Sequence, residues 1–191
     1  SRGKLDYKLN MKTKLRKKYK NLRFNIPNET RENHAENIFK LISTNFQLSG
    51  KNISIFLPIK KFNEVNTWHL INNIDANYYL PVVKDKELKH IKLENKAQLK
   101  LSKWGIEEPT YGDETLPDKF DFVIVPLLAY DKNGHRIGYG AGFYDNFLKY
   151  CNPNCKFIGV SFFEPDTELI DTYSTDIAIH FCATPKKLIK F

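Results

Sequence analysis

The sequence predicts an α/β fold: a single three-layer α/β/α domain around a mostly parallel, mixed central sheet. Three observations predict it. Short apolar runs rich in β-branched and aromatic residues recur at 52–58, 78–83, 120–126 and 157–162. Segments with helical spacing of apolar residues alternate with them. The chain has 191 residues, enough for one substantial core and short of what two domains usually need.

In chain order, Met11 to about Phe24 favours helix, with Leu15, Tyr19 and Leu22 as an apolar stripe, and Pro27 breaks it. Asn28 or Thr30 then caps a second helix, in which Ala35, Ile38, Phe39, Ile42 and Phe46 repeat at helical spacing until Ser49-Gly50. Asn52 to Pro58 reads as a buried strand. A loop over 59–63 leads to a helix from Val65 to about Ile74. Tyr78 to Val83 is a second strand, with Pro81 placing it at a strand end or sheet edge. The charged stretch 84–103 reads as a hairpin or meander, and 104–109 as a loop. Phe120 to Pro126 is the clearest strand, a helix begins at Phe143 and runs to about Tyr150, and 157–162 and 177–181 complete the sheet.

With 41% apolar and 14% aromatic residues the chain is not a disordered one, and no apolar run is long enough to span a membrane. Three cysteines without framework spacing suit a reducing cytoplasm, and no second Cys/His pair accompanies Cys151-x3-Cys155 at zinc spacing. Nine basic residues against Asp6 alone within positions 1–20 account for the whole net charge of +8. The only methionine is Met11, so residues 1–10 are expected to be a leader or tag remnant ahead of one domain spanning 11–191.

The chemistry concentrates in residues 131–145. Four of the nine glycines fall between 134 and 142, three of them alternating as Gly138-x-Gly140-x-Gly142. Alternating glycines let successive backbone N–H groups turn toward one anion, and a helix starting at Phe143 would aim its unpaired N–H groups at the same point. Arg136 before the run supplies a planar cation suited to phosphate oxygens, and Asp145 after it is a hard oxygen ligand. No Gly-Lys-Ser/Thr follows, so this is not a Walker A loop, and the third glycine arrives one residue too early for a dinucleotide fingerprint.

The stretch from Val125 to Asp131, followed by Gly134 to Asp145, is similar to the proline-ended strand and the Gly-x-Arg-Leu-Gly-x-Gly-x-Gly-Tyr-Tyr-Asp signature of the 5-formyltetrahydrofolate cyclo-ligases, also called 5,10-methenyltetrahydrofolate synthetases. Weaker matches follow the same order: Lys12-x3-Arg16, Ile53 to Leu57 with Glu64 to Thr67, Trp104 to Pro109, and Thr175-Asp176. The resemblance implies ATP- and Mg²⁺-dependent closure of 5-formyltetrahydrofolate to 5,10-methenyltetrahydrofolate, with release of ADP and phosphate. Carried over residue by residue, it implies that Lys12 and Arg16 contact ATP phosphates. Arg136, Ile137, Gly138, Tyr139, Gly140, Ala141, Gly142, Phe143 and Tyr144 would form the nucleotide cradle, with Arg136 and Lys12 acting in catalysis. Asp145 and Asp176 would hold Mg²⁺, while Phe56, Leu57, Glu64, Trp104, Tyr139 and Phe143 would meet the folate. Phe143 stands where many family members carry tyrosine.

Simpler roles compete for several of these residues: a solvated basic face for Lys12 and Arg16, an ordinary turn for Asp176, core packing for Phe56, Leu57 and Trp104. Two other functions stand against the ligase. A sugar-phosphate isomerase would need a base such as His135 and no ATP, and an RNA-binding module would use the basic N-terminus. The ligase reading expects a cytoplasmic monomer that takes ATP and 5-formyltetrahydrofolate, polyglutamylated forms included, with no nucleic acid and no membrane partner.

Overall fold

A computed structural model of the chain describes residues 2–102 and 105–191, with side chains from residue 10 onward. Helices α1 (Arg2–Phe24) and α2 (Asn28–Asn45) come first, followed by β1 (Asn52–Ile55), the one-turn helix α3 (Trp68–Ile71) and the hairpin β2 (Asn77–Lys84) and β3 (Glu87–Lys92). Short strands β4 (Leu99–Leu101), β5 (Glu107–Pro109) and β6 (Glu114–Thr115) lead to β7 (Phe122–Pro126). Then come the small hairpin β8 (Ala129–Tyr130) and β9 (Arg136–Ile137), α4 (Phe143–Leu148), β10 (Lys156–Val160), β11 (Phe181–Ala183) and β12 (Leu188–Lys190).

Eight strands form the central sheet in the order β12-β11-β10-β7-β1-β2-β3-β6. The five inner strands from β11 to β2 pair in parallel, whereas β12, β3 and β6 join antiparallel at the edges. The expected mixed, mostly parallel α/β sheet is therefore what the chain builds. Alternation along the parallel strands sends Ile53, Ile55, Ile124 and Ile158 to one face, where they bury Ala35, Ile38, Phe39 and Ile42 of α2. Val123, Val125 and Phe157 point to the other face, against Phe147 and Leu148 of α4. A third, smaller cluster places Leu15 and Tyr19 of α1 on Leu128, Ala129 and Ile137, directly over the β8–β9 hairpin. Among the described residues no helix is long and apolar enough to cross a membrane.

Several elements differ from expectation, each for a local reason. The helix expected from Met11 starts at Arg2, so the segment read as a leader continues α1. Leu22 is 42% exposed, and its neighbour Arg23 turns inward instead, at 4%. Neither Asn28 nor Thr30 caps α2: Pro27 holds that position without a side-chain cap, and Asn28 Oδ1 accepts from Arg31 Nη2 at 3.0 Å.

The helix expected over 65–74 shrinks to one turn because local side-chain bonds compete with it. Asn66 Oδ1 accepts from the Trp68 N–H at 3.2 Å, Thr67 Oγ1 donates to the Phe56 carbonyl at 2.6 Å, and Glu64 turns back to the Ile59 N–H at 2.7 Å. Pro81 neither ends β2 nor lies on an outer strand. It faces His90 of β3, and β1 pairs only as far as Tyr79, so the missing N–H falls where β2 has one neighbour. The segment 177–181 is not the last strand. The Ile177 and Ile179 N–H groups bond Asp145 and Gly134, and β11 and β12 follow.

Between β1 and β3 lies a buried polar pair, Ser54 Oγ and His90 Nε2 at 2.9 Å, enclosed by the rings of Phe120 and Phe147. Burial pushes the His90 pKa down from 6.5 to about 3. Folded His90 therefore stays neutral while the unfolded chain binds a proton as pH falls through that window. Between pH 6.5 and 3 this residue should lower stability with falling pH by at most about 1.4 kcal/mol per unit. Urea titrations at pH 7, 6 and 5 should show that slope reduced in Ser54→Ala/His90→Phe, which leaves no unpaired hydroxyl.

Candidate active site

β7 ends at Pro126, and the chain beyond its carboxyl end makes the walls of a cavity, where ligands gather in open α/β sheets. Asp131 fixes the start of this segment. Fully buried, it accepts from the Asn133 and His135 N–H groups through Oδ1 and from the Ile170 N–H through Oδ2. The hairpin thus held presents Arg136 and Ile137, and residues 138–142 run on to α4. Gly142 occupies the left-handed region (φ 73°) at the N-cap of α4, and Gly140 lies at φ 106°. Of the three alternating glycines, Gly138 alone has no positive φ. The Gly138 carbonyl is what matters locally, since it accepts from Arg16 Nε at 2.9 Å.

The cavity measures about 410 Å³ and gathers Lys12 and Arg16 from α1, the whole segment 136–145, and Asp176. Every residue expected to touch ATP, and both expected metal ligands, therefore share one wall system. Lys12 is 8% exposed; its Nζ lies 2.8 Å from Asp176 Oδ2 and 4.4 Å from the centre of the Tyr173 ring. Burial pushes the Asp176 carboxyl up, but Lys12, the Tyr173 N–H and Arg136 together hold it below its ordinary value. Arg136 Nη2 sits 2.9 Å from Asp145 Oδ1, Nη1 donates to the Ile177 carbonyl, and Asp145 Oδ1 also accepts from the Ile177 N–H at 3.0 Å.

These bonds engage Oδ1 of Asp145 and Oδ2 of Asp176, which leaves one oxygen of each carboxylate outside them. Two carboxylates on the lining of this cavity, each with an oxygen outside those bonds, fit Mg²⁺, which prefers one or two carboxylates plus phosphate oxygens and water. Among the described residues no group of three or more His, Cys, Asp or Glu side chains could hold a metal without such help.

A second cluster adjoins the cavity. Glu64, 9% exposed, accepts from the Tyr139 hydroxyl at 2.7 Å and from the Ile59 N–H at 2.7 Å. Burial raises the Glu64 pKa against the lowering effect of these donors and of Arg23. Burial, and then Glu64, likewise push the Tyr139 phenol up. The Tyr139 ring stacks on Phe62 with centroids 5.2 Å apart. Phe56 and Leu57 do not line this cavity; they follow β1 into the first core cluster. Trp104 lies outside the described residues. His135 is bound to Asp131 at 3.2 Å and does not line the cavity, which removes the only base offered for an isomerase.

Arg23 went unnoticed in the sequence. Its Nη1 meets the Tyr139 hydroxyl at 3.1 Å and its Nη2 the Leu127 carbonyl, while its Nε is buried with no hydrogen-bond partner. The signal was present: Lys12, Arg16, Tyr19 and Arg23 follow one another at four, three and four residues, a single helical face. The Tyr144 hydroxyl is also buried without a partner.

The chain is an α/β protein whose parallel-centred sheet carries, beyond the carboxyl end of one strand, a glycine bend and the cations of α1 next to a buried carboxylate. The sequence model of the 5-formyltetrahydrofolate cyclo-ligase family matches residues 8–168, and the chain belongs to that family. It is 28% identical to the 5-formyltetrahydrofolate cyclo-ligase of Mycolicibacterium smegmatis over 92% of this chain and 94% of the relative. The namesake from Haemophilus influenzae is 27% identical over 88% and 92%. Among solved structures, the NMR structure of Aquifex aeolicus 5,10-methenyltetrahydrofolate synthetase superposes with a TM-score of 0.78 at 29% identity, covering 94% of this chain and 92% of that one. The Mycoplasma pneumoniae synthetase shares the fold, with a TM-score of 0.72 at 20% identity.

The glycine bend yields a direct test. A Cβ on Gly140 would sit 3.3 Å from the Arg16 guanidinium at a φ that side chains avoid. Gly140→Ala should cost about 1–3 kcal/mol of stability, read by denaturant titration, and weaken binding of a fluorescent ATP analogue.

Proposed function

We propose that the chain converts 5-formyltetrahydrofolate to 5,10-methenyltetrahydrofolate in an ATP- and Mg²⁺-dependent reaction through a phosphorylated formyl oxygen. The observation that carries this reading is the convergence of Lys12, Arg16, Arg136 and the 138–142 bend on one cavity, with Glu64 joined to that bend through Tyr139. A formamide oxygen is a poor leaving group and N10 of the folate a weak nucleophile. Attack of the formyl oxygen on the γ-phosphorus expels ADP and leaves an N5 iminium phosphate. The N10 lone pair then adds to the activated carbon, the carbon–oxygen bond breaks to release phosphate, and N10 loses its proton as the ring closes.

The chain's own contribution is positioning and charge. Arg136, fixed by Asp145 and the Ile177 carbonyl, offers a cation whose place is set before ATP arrives. Lys12 and Arg16, one helical turn apart, supply two more for the phosphates, and the bend supplies N–H donors. Glu64 suits the paired N–H donors of a pterin, with Tyr139 beside it and Phe143 further along the same bend as rings for the folate. Asp145 and Asp176 would hold Mg²⁺, which would supply positive charge to offset that of the phosphates. The proposed steps use no residue before Lys12, so a chain starting at Met11 should keep its turnover.

The assay is the appearance of the methenyl chromophore. It should grow only when protein, ATP, Mg²⁺ and 5-formyltetrahydrofolate are all present, and silence from folded protein would defeat the reading. Arg136→Ala should cut turnover by about 10²–10³ with an unchanged circular dichroism spectrum. Asp145→Asn should shift the Mg²⁺ titration to higher concentration, and an unmoved titration would place the ligand elsewhere.

A further inference from the structure

In the free chain the Tyr139 hydroxyl donates to Glu64 Oε1 at 2.7 Å, and the Ile59 N–H occupies Oε2 at 2.7 Å. A pterin's two adjacent donors would approach both oxygens, and each already carries one donor: on Oε2 a backbone N–H, which stays and leaves that oxygen's second lone pair, and on Oε1 the hydroxyl of a residue of the glycine bend, which can move away. The hydroxyl is held there by more than one contact. Arg23 Nη1 donates to it at 3.1 Å, and the ring stacks on Phe62 at 5.2 Å and 27°. Tyr139 therefore ties two places of different function, Glu64 on one side and the backbone of 138–142 on the other. Its neighbours Gly138 and Gly140 are the positions against which Arg16 packs, at 2.9 Å from the Gly138 carbonyl and 3.3 Å from a Cβ built on Gly140.

We infer that Tyr139 is a positioning residue that couples the two substrates: its hydroxyl fills the folate's place on Glu64, and a folate that takes this place frees the bend for the nucleotide phosphates. The inference rests on the assignment of Glu64 to the pterin. Two consequences follow. Folate binding is weakened by the competing hydroxyl, because the competent state is only the fraction in which Tyr139 has left. Folate and nucleotide favour each other reciprocally, since each is bound best once residue 139 is released. Arg23, at 4% exposure, stays beside Glu64 and balances its charge after the hydroxyl leaves.

The experiment measures binding of 5-formyltetrahydrofolate, and of a non-hydrolysable ATP analogue with Mg²⁺, each alone and in the presence of the other, by calorimetry. In the wild-type chain the folate should tighten the analogue by about fivefold or more. In Tyr139→Phe, which keeps the ring and removes the donor, the folate Kd should fall about tenfold and the mutual effect should shrink toward one. Steady-state rates should then show a lower KM for the folate and a KM for ATP independent of folate concentration. If the variant does not fold, Phe62→Leu, which removes the stacking partner, should move both constants in the same directions. A folate Kd unchanged or raised in the variant, or a mutual effect equal to that of the wild type, overturns the coupling. Absence of ligase turnover in the wild-type chain is a different failure, that of the proposed reaction, and is read from the chromophore assay alone.

Discussion

The site depends on one constraint: α1 must lie across the β8–β9 hairpin with its cations turned inward. Leu15 and Tyr19 supply the apolar anchor, each less than a tenth exposed. That anchor orients a helical face on which Lys12, Arg16 and Arg23 follow at fixed angular positions. None of the three could be held below a protein surface without a partner, and each has one: Asp176, the Gly138 carbonyl, and the Leu127 carbonyl with the Tyr139 hydroxyl. Two of those partners are backbone oxygens, which stay put when an anion arrives, whereas Asp176 can exchange Lys12 for another cation. Helix, bend and charges are therefore one unit, and displacing α1 would dismantle the phosphate side while leaving the sheet intact.

The sheet itself was largely legible, because buried parallel strands must be nearly continuous apolar runs and β1, β2, β7 and β10 are such runs. Strand ends were less legible, since hydrophobicity does not stop where pairing stops. Phe56 and Leu57 are as apolar as Ile55, yet they leave the ladder for the core. The failure at α3 has another origin. Periodicity read Val65–Ile74 as helix, but Glu64, Asn66 and Thr67 each spend a side-chain bond on a loop conformation that serves Glu64. Segment 177–181 misled in a similar way: its Ile177 and Ile179 N–H groups serve Asp145 and Gly134, and it joins β10 only from His180 onward. Both errors fall where backbone is committed to the site.

The glycine bend was legible for a simpler reason. Glycines at 140 and 142 are required by backbone conformation, and Arg136 and Asp145 flank them in sequence. The bend and its two flanking charges lie within ten residues of chain. The Glu64 side brings together Arg23, Phe62, Glu64 and Tyr139, four positions spread over more than a hundred residues, and no local pattern marks such a set. Arg23 was recoverable only by extending the helical register of Lys12 and Arg16 through Tyr19, because a lone arginine in a basic helix is most simply a solvated one.

Glu64 shows why the two sides have to be understood together. A carboxylate at 9% exposure is costly to keep charged, and here its two oxygens have a backbone N–H and a phenol as donors, with a guanidinium nearby. Such a group exchanges one donor for another at little net cost, whereas losing a donor outright would leave buried charge uncompensated. The Tyr139 hydroxyl thus keeps Oε1 satisfied in the empty site, while the Ile59 N–H stays on Oε2. A movable side chain on the glycine bend meets both demands, because it protects the charge when nothing is bound and yields when a better pair of donors arrives. The left-handed conformations at Gly140 and Gly142 fit this arrangement, since they let the chain that carries residue 139 turn between two buried anchors, Asp131 before it and α4 after it.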